Sequence, residues 1–333
     1  MIEVSHLTKR YGVHTAVEDL TFSIEKGKIY GFLGPNGAGK STTMNILTGC
    51  LAATEGEVRI AGHDIFEEAQ EAKKHIGYLP EQPPLYSDMT PEEYLCFVAG
   101  AKGVSANEMK EQITRAMTVT GLEPVMGRLI RNLSKGYRQR VGIAQALLGN
   151  PDIIILDEPT VGLDPLQIIE IRDLIRALGK DHTVLLSSHI LSEVRAVCDV
   201  ILIISRGKLV ACDTPDTLET RFAAGVSVSL TAKCTEEEAR AAAEALPGVS
   251  VVKSHAEDDR CRLDLSAAGD ADTLCEQLFF AFSRMQKPIL RLEVTHASLE
   301  DVFLELTAGG DPTETAAQAT PEKSDEKKEE QAR

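Results

Sequence analysis

No run of apolar residues in this 333-residue chain approaches the ~20 needed to cross a bilayer. Short apolar runs such as Ile153–Leu156 and Val200–Ile204 have the length of buried strands. The opening residues Ile2, Glu3 and Val4 carry neither a charged lead-in to an apolar stretch nor a cleavage site, so no secretory signal is expected. Basic residues are in deficit: 35 Lys and Arg against 51 Asp and Glu leave a formal net charge of −16. That excludes a protein whose main task is to coat nucleic acid, which needs a basic face to neutralise phosphates. It leaves room for a small local phosphate site. The seven cysteines are odd in number, scattered, and never spaced as C-x-x-C, which predicts reduced thiols in a soluble, intracellular protein. No internal repeat is visible.

What is present suffices for about two domains and an ordinary core, since 43% of residues are hydrophobic. Over 1–221, continuous apolar strands (Ile29–Leu33, Ile153–Leu156, Thr183–Ser187) alternate with helical patterns. This is α/β with a sheet covered on both faces. Asp164, Pro165 and Gln167 form an N-cap, a first-turn proline and a capping-box partner for a helix with Ile168, Ile171, Ile175 and Leu178 on one face. From about 85 to 148 the pattern turns mostly helical, with starts at Thr90-Pro91 and just after Ser134 and an amphipathic stretch over 107–121. That reads as a helical subdomain inserted in the α/β domain. From Val226 the order is strand (226–231), Ala/Glu-rich helix (235–246), strands (249–253 and 262–265), helix (271–285) and strand (289–294). This β-α-β-β-α-β order predicts a small α+β, ferredoxin-like domain over 226–306, closed by a short helix at Ser298–Leu306. Residues 308–333 lose all periodicity and read as a disordered tail.

The strongest chemical signal is Gly34-Pro35-Asn36-Gly37-Ala38-Gly39-Lys40-Ser41-Thr42, a G-x-x-x-x-G-K-[ST] phosphate loop between a strand and a helix. Small residues let successive backbone N–H groups face an anion at a helix N-terminus. Lys40 supplies charge for the β- and γ-phosphates, and Ser41 a hydroxyl for Mg²⁺. The strand Ile153–Leu156 then ends in Asp157-Glu158. One carboxylate there is placed for a metal and the next for an attacking water, so Asp157 is the expected Mg²⁺ partner and Glu158 the base. A guanine-reading Asn-Lys-x-Asp stretch is absent, which argues against a GTPase.

Further motifs bring a family into view. Leu133-Ser134-Lys135-Gly136-Tyr137-Arg138-Gln139-Arg140 resembles the LSGGQ signature of ATP-binding cassette (ABC) ATPases. Asp157-Glu158-Pro159-Thr160 with Gly162-Leu163-Asp164-Pro165 resembles their Walker B motif and D-loop. His189, 31 residues after Glu158, stands where the family keeps a switch histidine. The resemblance spans residues 2–219 and implies the P-loop ABC ATPase fold, ATP and Mg²⁺ as ligands, and head-to-tail pairing of two cassettes, as a homodimer or with a paired subunit.

It also implies roles. Tyr11 stacks on adenine, and His189 contacts the γ-phosphate and holds Glu158 and water in line. Ser134 and Gly136 cap the γ-phosphate from the opposite subunit. Two motifs depart from the common pattern. Lys135 and Tyr137 replace Gly and Gln in the signature, and the Q-loop glutamine falls by register on Glu81, with Gln82 one place later; either could reach Mg²⁺ or its water. With no span of its own, a transporter of this type needs separate multi-span permease subunits at the cytoplasmic face of the membrane. The C-terminal appendage resembles the ABC-2-like exporter branch, which includes drug, sodium, polysaccharide and gliding-motility systems. The alternative is a soluble ABC ATPase of translation or DNA repair, against which stand the single cassette and the absence of sustained heptads.

Overall fold

The computed structural model describes residues 1–222, 226–257, 260–267, 270–295 and residue 303. Apart from Phe303, the helix expected over 298–306 lies outside these residues, as does the tail expected from Ala308.

In chain order the first part comprises β1 (Ile2–Tyr11), β2 (His14–Ile24), β3 (Ile29–Leu33), α1 (Lys40–Leu47), β4 (Glu55–Ile60), β5 (His63–Asp64), α2 (Ala69–Lys74) and β6 (Ile76–Leu79). Three helices follow: α3 (Pro91–Ala101), α4 (Ala106–Thr120) and α5 (Lys135–Leu147). Then come β7 (Ile153–Leu156), α6 (Pro165–Leu178), β8 (Thr183–Ser188), α7 (Leu191–Val197), β9 (Val200–Ser205), β10 (Lys208–Asp213) and α8 (Pro215–Phe222).

A six-stranded sheet in the order β10-β9-β3-β8-β7-β6 forms the centre. Its strands are parallel except at the β9–β10 hairpin. Strands β3, β7 and β8 are buried along their whole length, as expected of strands covered on both faces. Alternate residues serve opposite layers. Ile153 and Ile155 pack with β1, β2 and α1, whereas Ile154 and Leu156 pack with Ile171, Leu174 and Ile175 of α6.

The first layer is an antiparallel sheet, β2-β1-β4-β5, and sequence periodicity did not anticipate it. Strand β1 breaks its alternation at His6, which adopts φ 52°, and the register with β2 shifts between Val4 and Leu7. A bulge of this kind turns side chains out of step and hides the period-2 signal. The later helices start as their caps predict. Thr90 and Glu93 complete a capping box on α3, Ser134 Oγ accepts from the Tyr137 N–H on α5, and Asp164 accepts from the Gln167 N–H on α6. Helices α3 to α5 surround their own apolar cluster, including Tyr94, Leu95, Ile113, Met117 and Val141.

Beyond α8 the chain forms β11 (Val226–Ala232), α9 (Glu236–Glu244), β12 (Val249–Glu257), β13 (Arg260–Ala267), α10 (Ala271–Arg284) and β14 (Ile289–Thr295). The four strands make an antiparallel sheet in the order β12-β13-β11-β14. Leu230, Leu263 and Leu265 of this sheet pack against Leu274, Leu278 and Phe282 of α10.

Candidate active site

Parallel register decides where the site lies. Leu33 of β3 is level with Ser188 of β8, and Leu156 of β7 is level with Leu186 of β8 and Leu79 of β6. The four chain segments leaving these strands therefore emerge at one edge: the loop 34–39, Glu81, Asp157-Glu158 and His189. Ligands of open parallel α/β sheets bind at this carboxyl edge. A cavity of about 660 Å³ opens there, lined by residues that include Tyr11, Asn36, Lys40, Ser41, Glu81, Glu158 and His189.

The loop before α1 depends on glycine at two points. A Cβ on Gly34 would lie 2.5 Å from the Ile204 carbonyl oxygen. Gly39, the N-cap of α1, has φ 104°, and a Cβ there would meet the Ala16 carbonyl oxygen at 2.5 Å. Only a residue without a side chain fits such a turn. Ala38 is buried, and its carbonyl accepts from the Gly207 N–H at 3.0 Å. The loop is thus tied to the β9–β10 turn.

Lys40 is buried, and its ammonium donates to the carbonyls of Gly34 (2.8 Å) and Pro35 (3.3 Å). It also lies 3.4 Å from Glu158 Oε1. The other oxygen, Glu158 Oε2, lies 2.9 Å from His189 Nδ1. Glu158 is held in the left-handed region at φ 48°, a conformation that costs a non-glycine residue ~1–2 kcal/mol. The Glu158 N–H donates to Ser187 Oγ at 2.9 Å, which holds that turn. The same hydroxyl donates to Asp157 Oδ1 at 2.5 Å, and Ser41 Oγ donates to that oxygen at 3.4 Å. Burial pushes the Asp157 carboxyl above its ordinary range. The Ser187 and Ser41 hydroxyls oppose the rise, and the nearby Glu158 and Glu81 carboxylates add to it.

These contacts bring the phosphate loop, Asp157, Glu158, His189 and Glu81 together. Gln82 is exposed and does not line the cavity. Tyr11 lines its outer end, half-exposed, with the Lys9 ammonium 5.3 Å from its ring centroid. Ser134 and Gly136 stand elsewhere, in a second cavity of about 380 Å³ shared with Asp164 and Gln167. Lys135 reaches over the D-loop: a Cβ on Gly162 would lie 2.2 Å from its ammonium. Sequence reasoning missed Ser187, because a serine at the end of a buried strand carries no motif of its own.

The sequence model of the ABC transporter family matches residues 17–161. The chain is 33% identical over 308 residues to the linearmycin resistance ATP-binding protein LnrL of Bacillus subtilis, covering 92% of this chain and 98% of that protein. It belongs to the ABC transporter ATP-binding subunits. A second relative, the bacitracin transport ATP-binding protein BcrA of Bacillus licheniformis, is 41% identical over 211 residues (63% of this chain and 68% of that protein). Among solved structures, an ATP-binding subunit of an ABC transporter superposes with a TM-score of 0.61 at 33% identity, over 67% of this chain and 93% of that one. The dimeric cassette MJ0796 in a post-hydrolysis state with ADP and Pi superposes with a TM-score of 0.59 at 27% identity, over 64% and 98%. The cassette is therefore an ATPase with the P-loop ABC fold, and it binds and hydrolyses ATP as the subunit of a transporter that works at the membrane. Among the described residues, no helix is long and apolar enough to cross a membrane.

Proposed function

We propose that the cavity at the carboxyl edge holds ATP with its γ-phosphate beside Glu158, and that Glu158 takes the proton of the attacking water. The observation that carries this reading is the placement of one buried carboxylate between the Lys40 ammonium at 3.4 Å and His189 Nδ1 at 2.9 Å. A base needs a fixed position and a neighbour that stabilises its charge, and this one has both. Lys40 meets the β- and γ-phosphates, the loop Gly34–Gly39 and Thr42 surround them, and Tyr11 stacks on adenine. His189 keeps Glu158 in line.

The residues also fit Mg²⁺. Ser41 and Asp157 offer hydroxyl and carboxylate oxygen, and Glu81 adds negative charge beside Asp157, the hard donors this ion prefers. When bound, the ion neutralises charge developing on the phosphoryl oxygens. Of the two Q-loop candidates, the lining of the cavity favours Glu81 over Gln82.

Ser134 and Gly136 lie apart from the phosphate loop of their own chain. This suits a dimer in which each supplies the second half of its partner's site, so that ATP clamps two cassettes and hydrolysis releases them. The subunit drives export through separate multi-span permease subunits at the cytoplasmic face of the membrane, a reading supported by the resistance and transport roles in the names of the relatives. The sheet order β12-β13-β11-β14, with two helices packed on it, supports a ferredoxin-like accessory domain after the cassette of residues 1–221.

The test is Glu158→Gln in the full chain. Phosphate release should fall by roughly 10²–10⁴-fold, as for loss of a general base, with ATP affinity retained and an ATP-dependent dimer accumulating in size-exclusion chromatography. Turnover at the unaltered rate would overturn the assignment.

A further inference from the structure

Two segments are laced together beneath the cavity: 157–160 after β7, and 187–193 from the end of β8 into α7. Two links were described above, Ser187 to Asp157 and to the Glu158 N–H, and His189 to Glu158. A third link is made by residues that do not themselves line the cavity. Glu193 Oε2 accepts from Thr160 Oγ1 at 2.5 Å and from Ser188 Oγ at 3.3 Å. Ser188 Oγ in turn accepts from the Ile190 N–H at 3.0 Å, and the Glu193 N–H returns to the Ile190 carbonyl at 3.2 Å. Thr160, Ser188 and Glu193 are 6%, 1% and 5% exposed.

Resting on the role proposed above for His189, we propose that Glu193 is a positioning residue: it couples the His189 loop to Thr160, and through Thr160 to the D-loop at Leu163 and Asp164. A buried carboxylate is costly unless its acceptor capacity is used. Here one oxygen gathers two hydroxyls from two different segments. An acceptor at this point thereby ties the two segments to each other. On one side the loop 188–190 carries the imidazole that meets Glu158. On the other, the Thr160 carbonyl accepts from the Leu163 N–H at 3.2 Å, one residue before Asp164 caps α6. A shift of His189 on gain or loss of phosphate is thereby passed to the D-loop without a side chain in the nucleotide cavity.

The test uses the full chain and five variants: Glu193→Ala, Glu193→Gln, Thr160→Val, Thr160→Ser and the double variant Glu193→Ala/Thr160→Val. Each is assayed for ATP hydrolysis, ATP affinity and thermal melting. Thr160→Val is nearly isosteric, so it preserves packing even if Glu193→Ala melts early. Glu193→Ala and Thr160→Val should each lower kcat about tenfold with KM for ATP within about twofold. Glu193→Gln and Thr160→Ser, which keep an acceptor and a hydroxyl, should recover most of kcat. The double variant should be no slower than the slower single, because both remove one link. Additive losses, equal loss in Thr160→Ser and Thr160→Val, or a lowered melting temperature with intact kcat would each overturn the proposal. Glu158→Gln serves as reference. If it is inactive while Glu193→Ala turns over normally, the link alone fails; if it turns over normally, the reading of the base fails first.

Discussion

His189 and Glu158 are separated by 31 residues and meet at 2.9 Å between Nδ1 and Oε2. The contact exists because β7 and β8 are parallel neighbours in register, Leu156 beside Leu186, so the residues that follow each strand leave at the same height. Glu158 completes the approach through its left-handed turn at φ 48°.

His189→Ala removes the imidazole and leaves Glu158 with Lys40 as its polar neighbour at 3.4 Å. A misplaced base costs roughly 10²-fold in rate, so kcat should fall by about that factor while ATP affinity changes little. Steady-state hydrolysis together with a nucleotide-binding isotherm separates the two.

Gly39→Ala places a methyl group against the Ala16 carbonyl at a φ of 104°. Strain of ~1–3 kcal/mol is expected, visible as a lower melting temperature, and the distorted loop should lose most of its ATP affinity. Added ATP should accordingly raise the melting temperature of the unaltered chain but not that of the variant.

The pH dependence of Asp157 has a definite sign. Burial raises its pKa in the folded chain, so through the window from the ordinary aspartate value up to the raised one the folded state holds a proton that the unfolded state has released. Stability contributed by this site falls as pH rises across that window. Above that window the buried charge is a net burden in the nucleotide-free chain. Asp157→Asn should therefore raise the melting temperature of the nucleotide-free protein while abolishing Mg²⁺-dependent turnover. Calorimetry and a phosphate-release assay check the two halves independently.

Tyr11 is half-exposed at the mouth of the cavity. Loss of an aromatic stacking partner is worth ~0.5–1.5 kcal/mol. Tyr11→Ala should thus weaken ATP binding by roughly 2- to 10-fold, and Tyr11→Phe should leave it unchanged. Isothermal titration with ATP and with tripolyphosphate adds a control: only the adenine-bearing ligand should respond.

Legibility in the sequence followed the range of the interactions involved. The phosphate loop, the helix caps at Thr90, Ser134 and Asp164, and the apolar runs of β3, β7 and β8 are local features, written within a few residues of one another. The antiparallel sheet β2-β1-β4-β5 escaped because the bulge after Val4 interrupts its alternation. Ser187 and Glu193, and the bond of Thr160 to Glu193, escaped because a hydroxyl or carboxylate buried against a distant segment has no spacing rule to betray it.

By itself the sequence determined which chemistry is available: an ammonium and hydroxyl on a glycine loop, paired acids after a buried strand, and a histidine after the next, each set by short-range backbone preference and side-chain type. Only the tertiary structure decided which of them share a cavity. It brought Glu81 to the edge and left Gln82 outside, held Ser134 and Gly136 apart in a second cavity, and turned Lys135 over Gly162. The physical reason is that parallel strand register and core packing act between residues tens to more than a hundred positions apart, where no local pattern reaches.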